Sequence, residues 1–418
     1  MQKTFIHTFL SRALILILNF GIIIFATNVW GSQGKGSISM LIADLAIIGF
    51  ISNIFVGSIT YLTSRYKTAD ILGIAYVWSV VVGISIPLVV HFAIRPVYDL
   101  RYLVLLSVLF SLLTSNINHF IGKQDIAKFN LYTILQQGVH LVFILAAFYI
   151  FGITSLNTYF ITLIACYGVL FFVSTLQLST ESKLPEFSFS GAVIRSMFSY
   201  GWKTQLSALM QFMNYRLSFY FLEVYRGIAS VGVFSIGVAL SEGIWAVSRS
   251  LSTILYSKVV NSSNQLESVD AAKVAIKLSF LVTSFFVLII LCVPAEVYTI
   301  VFGEAFYQTK LIFMLLSPGI LAIAVSNIVG SYFAGVNRLQ VLNIKSFVGL
   351  AFTVISSVYV IPRWGIIGAC VVTTISYCLS SGILFWKFYK GTTFKVADLL
   401  PTKAELTFVK QFFSTGNK

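Results

Sequence analysis

The chain has 418 residues, 58% of them hydrophobic and 10% charged, with a formal net charge of +14. Soluble globular proteins hold about a quarter of their residues as charged side chains, so this composition excludes a water-soluble enzyme or binding module. It leaves a polytopic membrane protein, whose positive charge faces anionic lipid rather than nucleic acid.

A helix needs roughly 20 apolar residues to cross the hydrocarbon core. The first apolar run, Leu10 to Trp30, is too long for a signal-peptide core, and no small-x-small site follows it, so it is expected to be a span and not a cleaved leader. Further spans are expected near 38–62, 71–93, 102–121, 128–151 and 156–178. Then comes the longest internal polar segment, "STESKLPEFSFSGAVIRS" at 179–196. Spans resume near 200–222, 228–255, 273–293, 310–334, 341–361 and 366–388. The expected fold is all-α, with twelve transmembrane helices in two six-helix lobes. The expected division is 1–185, 186–393 and a basic tail at 394–418, whose spaced apolar residues read as an amphipathic helix on the membrane surface.

Equal halves suggest a duplicated transporter with a pathway between two bundles. A trace of the repeat survives. Gly36 and Ser39 in "GSIS" match Gly232 and Ser235 in "GVFS", at one offset of 196, each pair opening the second helix of its half.

Charge sets the orientation. Of the 28 Lys and Arg, 20 fall on the side that holds both termini and 6 on the other, while Arg216 and Arg249 lie within spans. Positive residues stay inside, so both termini are expected in the cytoplasm. The four cysteines all sit in apolar runs and read as core residues, not as a disulfide framework or metal cluster. "GSQGKGS" at 31–37 lacks phosphate-loop spacing and follows no strand. No catalytic constellation, cofactor or metal site is expected.

Charges inside the membrane are expensive unless paired or hydrated, and so mark function. The eighth span holds Glu242 and, seven residues on, Arg249. They share a face about 10 Å apart along the axis, with Ser235 on the same stripe. This reads as cavity lining, against the alternative of an ion pair that only joins helices. Arg216 sits in the outer half of the seventh span, where pathway lining and snorkelling toward Glu223 and Arg226 are equally open. In the first half, Arg12 and Asn19 repeat the seven-residue stripe. Gln136 and His140 form an i, i+4 pair, and Asp44 lies near the outer end of the second span. A lone buried histidine is more often a satisfied core residue than a proton carrier.

"NYRLSFYFL", followed by "VGVFSIGVALSEGIWAVSRSLSTILY" at 231–256, resembles the polysaccharide flippases of the multidrug/oligosaccharidyl-lipid/polysaccharide (MOP) superfamily. Further likeness lies in "WGSQGKGSISMLIADLAIIGFISNIFVGS", "LLSPGILAIAVSNIVGSYFAGVNR" and "WGIIGACVVTTISY", in the family order along almost the whole chain. The resemblance implies two lobes around a central cavity in a bacterial inner membrane. It implies a polyprenyl-pyrophosphate-linked oligosaccharide as cargo, turned from the cytoplasmic to the periplasmic leaflet for O-antigen, capsule or exopolysaccharide assembly. It also implies work beside a glycan assembly machinery and a possible coupling ion, H+ or Na+. By position, Arg216 matches the family arginine of the seventh helix and Glu242 the glutamate of the eighth. Ser218 stands where many relatives have an acid, so Glu242 and Asp44 are the remaining candidates for ion coupling. The rivals are a multidrug/cation antiporter of the same superfamily; a lipid II flippase, which usually has fourteen helices against the twelve counted here; and, from other classes, a membrane glycan polymerase or glycosyltransferase, or a structural membrane scaffold, against which the intramembrane charges argue. Two arginines to one glutamate in the second half favour an anionic cargo, and a polymerase needs a large outer loop that the short segments here do not supply.

Overall fold

A computed structural model of the chain describes residues 2–63, 65–94, 98–181, 190–262 and 264–394. The expected tail helix from 395 on, and the middle of the 179–196 segment, lie outside these residues. Among the described residues the fold is all helical, with no strand. The helices are α1 (Gln2–Val56), α2 (Ile59–Leu62), α3 (Thr68–Ile94), α4 (Leu100–Gly122), α5 (Ile126–Tyr149), α6 (Asn157–Glu181) and α7 (Gly191–Arg226). They continue with α8 (Ile228–Asn261), α9 (Gln265–Cys292), α10 (Ala295–Phe302), α11 (Thr309–Gly335) and α12 (Leu339–Gly391), with a 3-10 turn at Glu304–Phe306 before α11.

Every one of the twelve expected spans falls on a helix. Nine described helices are long and apolar enough to cross a membrane. Two of them hold two spans each. α1 turns at Gly31 (φ 62°, ψ −162°) and α12 at Gly365 (φ 55°, ψ −128°), both in a backbone region that costs an L side chain energy. The remaining span is α7, whose Arg195, Gln205, Gln211, Asn214 and Arg216 make it too polar for the same criterion. "GSQGKGS" is not a loop at all: beyond Gly31 it is the helical start of the second span.

The repeat extends into backbone conformation. Gly227, 196 residues after Gly31, has φ 79° and ψ 167°, nearly the same turn, and it too precedes the second helix of its half. Five residues further on in each half come Gly36 and Gly232, which meet in one helix crossing. A Cβ on Gly36 would overlap the Ile228 carbonyl oxygen, and one on Gly232 the Ser32 carbonyl oxygen. Ser32 and Ile228 are themselves 196 apart, so each half offers the same glycine to the same carbonyl of the other.

The chain divides into two compact units. The first comprises 1–212, 228–232 and 301–305; the second comprises 213–227, 233–300 and 306–418. Thus α7 is shared, with its first part packed in the first unit. There Gly201 lies against the Ile54 carbonyl, and Tyr66 and Ser196 share a 3.1 Å hydrogen bond.

In the first unit α4 is central, packed on α1, α2, α3, α5 and α6. Its buried face is dotted with hydroxyls and amides. Ser111 donates to Ser79 (2.6 Å) and bonds Ser52, while Asn116 accepts from Tyr76 and donates to Ser174 (2.8 Å) and Thr175 (3.0 Å). Lipid is as apolar as a leucine core, so small and polar residues hold membrane helices together, at about 0.6–2 kcal/mol per bond. In the second unit α11 is central, packed on α9 and α12. Its Ile328, Val329, Tyr332 and Phe333 close a core with Ala272 and Ile276 of α9 and Leu384 and Phe388 of α12.

Candidate functional site

The site grows from the way α7 is anchored in the second unit. Asn214, Ser218, Phe219 and Leu222 form its buried face. Asn214 Oδ1 accepts from the Thr353 and Ser376 hydroxyls of α12, each at 2.8 Å, while its Nδ2 has no partner. Ser218 shares a 3.0 Å hydrogen bond with Thr373, also of α12. Ser218 is therefore one half of a buried, neutral hydroxyl pair. Arg216 lies about 200° round the helix from Asn214, on the side left open.

There Arg216 meets α8. Its Nη2 donates to Glu242 Oε2 at 2.9 Å and lies 2.8 Å from Oε1, an ion pair. The pair is partly buried, with side chains 18% and 32% exposed. Among the described residues the Glu242 contact uses one of the three guanidinium nitrogens, which leaves Nε and Nη1 as donors for another acceptor. The guanidinium carbon also lies 5.1 Å from the Phe219 ring. The ion pair thus joins α7 to α8, and not Glu242 to Arg249 within α8. Arg249, one stripe position further along, is exposed, with its guanidinium 6.0 Å from the Trp245 ring.

Behind these charges stands a triangle of aromatic side chains. Tyr215, Trp245 and Tyr377 lie 5.3–5.6 Å apart, centroid to centroid. Trp245 is 1% exposed and its Nε1 has no hydrogen-bond partner. Two arginines and one carboxylate leave one net positive charge, set against an aromatic wall. That combination suits a phosphate joined to sugar rings: guanidinium forks match phosphate oxygens, and aromatic bodies offer apolar surface beside a polar group.

The sequence reading picked out Arg216, Glu242 and Arg249, and the structure brings the first two into contact. It passed over Tyr215, Asn214 and Trp245, although each is a direct or near neighbour of a charged residue in "NYR" and "EGIW". The signal was an aromatic beside a membrane charge. Lys345 of α12 is 8% exposed, with Nζ donating to Ser326 Oγ at 3.1 Å.

The other candidates belong to the first unit. Arg12 and Asn19 are exposed on α1, and Gln136 is half-buried on α5. His140 is 2% exposed, its ring 4.8 Å from Tyr159 and its Nε2 3.4 Å from the Tyr159 carbonyl oxygen. It packs between α5 and α6. Asp44 is also buried, accepting from the Tyr98 hydroxyl. Among the described residues no group of three or more His, Cys, Asp or Glu is arranged to hold a metal ion.

No family model and no curated protein matches the chain. Solved structures do match, over nearly its full length. An inward-facing multidrug resistance MATE family transporter of the MOP superfamily is similar at TM-score 0.71 and 13% identity, covering 90% of this chain and 94% of that one. The lipid II flippase MurJ in an inward closed conformation is similar at TM-score 0.74 and 12% identity, covering 100% of this chain and 94% of that one. The eukaryotic MATE transporter AtDTX14 is similar at TM-score 0.67 and 12% identity, covering 95% of both. The fold is that of the MOP transporters. Such low identities show the fold and leave the cargo to be argued from the site.

Proposed function

We propose that the protein is a flippase for a polyprenyl-pyrophosphate-linked oligosaccharide, moving it from the cytoplasmic to the periplasmic leaflet of a bacterial inner membrane beside the machinery that assembles the glycan. The observation that carries this reading is the Arg216–Glu242 pair with Arg249 nearby and the Tyr215–Trp245–Tyr377 triangle behind. A sugar hydroxyl moved into hydrocarbon without partners costs roughly 4–8 kcal/mol, so an oligosaccharide with a diphosphate cannot cross unaided. The site supplies fixed cations for the phosphates and aromatic surface for the sugars. The likeness to MurJ and to MATE transporters supports a transporter in general; the cation-rich balance favours an anionic cargo over the cationic cargo of an antiporter. Arg12, Asn19, Gln136 and His140 stand as candidate sugar contacts of the first unit.

Glu242 gives the site a release step. While paired, it occupies one edge of Arg216. A proton on Glu242, or a phosphate that competes for Arg216, opens the pair and frees the whole fork. Ion coupling, if proton-driven, then runs through Glu242, with Asp44 as the other candidate acid. The neutral Ser218–Thr373 pair offers no carboxylate at the family position.

The test is glycan export in a flippase-null strain, with membrane abundance of each variant measured alongside. Arg216→Gln with Arg249→Gln should abolish export at normal abundance, while Arg216→Lys, which keeps the charge and loses the fork, should retain part of it. Normal export from the double variant would overturn the reading. In proteoliposomes, Glu242→Gln should remove any response of transport to an imposed pH gradient; a response equal to that of the parent would take Glu242 out of coupling.

A further inference from the structure

The last turns of α12 carry a second group of cations, remote in sequence from Arg216 and Arg249. Lys390 Nζ lies 4.4 Å from the centroid of the Trp386 ring and Lys387 Nζ 5.4 Å from it. The Arg338 guanidinium, at the start of α12, lies beside Gly391 at its far end, with Nη1 3.8 Å from where a Cβ on Gly391 would stand. Arg338, Lys387 and Lys390 are all exposed, and no described carboxylate lies within ion-pair distance of any of them. Two of these cations lie at one indole and the third at the carbonyl end of the same helix, where the helix dipole already favours positive charge.

The face of α12 that leads to this cluster is apolar and open. Ile375, Leu379 and Trp386 are 46%, 38% and 49% exposed. Together with Gly382, Tyr389 and Lys390 they fall within roughly 100° of one another round the helix. A Cβ on Gly382 would meet nothing within 4 Å, so the stripe has a notch between Leu379 and Trp386. Read along the axis, the stripe passes from aliphatic side chains to a notch, an indole, and then ammonium groups. That is the order of a bilayer leaflet, from acyl chain to glycerol to headgroup, and tryptophan concentrates at the glycerol level.

We propose that Trp386, Lys387, Lys390 and Arg338 form a site for the phosphate of an anionic glycerophospholipid, with an acyl chain lying along Ile375, Leu379 and the Gly382 notch. The cations take the phosphate oxygens, each Lys as a point charge and Arg338 through its fork. Trp386 holds both ammonium groups in place by its ring face, which lowers the side-chain entropy lost on binding. The apolar approach fits the acyl chain of a leaflet lipid, and a polyprenyl diphosphate, which shares that chemistry, is distinguished from it by titration. The site is independent of the cargo reading.

The full-length protein, purified in a mild detergent, would be titrated with phosphatidylglycerol, phosphatidylcholine or polyprenyl diphosphate and its bound lipids counted by native mass spectrometry. The parent should hold phosphatidylglycerol at least tenfold more tightly than phosphatidylcholine. Arg338→Gln with Lys387→Gln and Lys390→Gln should lose that preference and leave phosphatidylcholine binding as it was. Trp386→Leu, which keeps every charge, should weaken phosphatidylglycerol binding by a smaller factor. Arg363→Gln, which removes an exposed cation next to the Gly365 bend of the same helix, serves as the control and should change nothing. Circular dichroism would show that each variant is folded; a misfolded triple variant is replaced by Lys390→Gln alone, with a several-fold loss expected. Phosphatidylglycerol binding equal to the parent in the folded variant overturns the proposal. So does a loss confined to polyprenyl diphosphate, which would assign the cluster to the cargo.

Discussion

Arg216 and Glu242 hold one another across two helices in a half-buried setting, so neither can be altered without changing the other's surroundings. Removing Glu242 leaves a partly buried guanidinium without its counter-charge, and removing Arg216 does the same to the carboxylate. We therefore expect Arg216→Gln and Glu242→Gln to be non-additive in stability, with an interaction energy of about 0.5–3 kcal/mol, measured by denaturation of the purified single and double variants. Additive effects would mean that the two side chains act separately. A second charged residue acts outside the spans. Asp99 caps α4, accepting from the Arg101 backbone N–H at 2.9 Å. The Arg101 side chain, bonded to the same carboxylate, brings the Asp99 pKa down from 3.8 to about 2. A carboxyl whose folded pKa is depressed stabilises the folded state above its unfolded pKa, and that contribution is lost as pH falls through the folded value. The Tm of the parent should therefore exceed that of Asp99→Asn at neutral pH, and the gap should close as the pH drops from about 4 toward 2. Sequence marked Arg216 and Glu242 as costly charges because their neighbours are apolar. It could not pair them, because that depends on which turns of α7 and α8 face each other. Nor could it show that Ser218 is matched by Thr373, 155 residues away.

Helices as whole elements were far more legible than their joints. Length and hydropathy located each span, since the bilayer imposes one long apolar run per crossing. The turns at Gly31 and Gly365 fall in the breaks expected after Trp30 and after residue 361; that each is made by one glycine with helix on both sides was not visible, because glycine is common in membrane helices and nothing local distinguishes a bent one from a packed one. The structure separates these cases and makes them testable. Gly36→Ala or Gly232→Ala would push a methyl group into a backbone carbonyl that cannot rotate away. Each should destabilise the protein by about 1–3 kcal/mol, the usual cost of overpacking. Gly382→Ala adds a methyl into open space on a helical stretch and should be neutral or stabilising, by up to about 1 kcal/mol. Thermal unfolding of the three variants in one detergent would decide between them. A Gly36→Ala variant as stable as the parent would show that the crossing is looser than the contact implies. α10 was missed for a different reason: at 8 residues it is too short to register as a span, and its apolar content read as part of a loop.

At the scale of the molecule, the count of spans and the repeat came from sequence, while the sharing of α7 between two compact units did not. Hydropathy treats each span as a unit and cannot show that one helix serves two bodies, as α7 does. The charge bias makes a claim about the whole chain that can be checked directly. In a background without the four native cysteines, a single cysteine in 179–196 should be protected from an impermeant maleimide in intact cells, and one in 294–310 should be labelled. The reverse pattern would invert the orientation and, with it, the direction of transport. The composition of the first unit has a consequence for biosynthesis. It is not closed by its own six spans, because it also takes in 191–212, 228–232 and 301–305. A ribosome that has delivered six helices to the membrane has therefore delivered an unfinished body. The Ser32–Gly36 stretch waits for Ile228–Gly232 to be synthesised and inserted, and the last piece arrives only with the turn after α10. During that interval the close-packing glycine of α1 lacks its partner helix, and insertion factors or membrane proteases can reach that face, so defects near residue 300 should shorten the lifetime of the nascent chain as a whole.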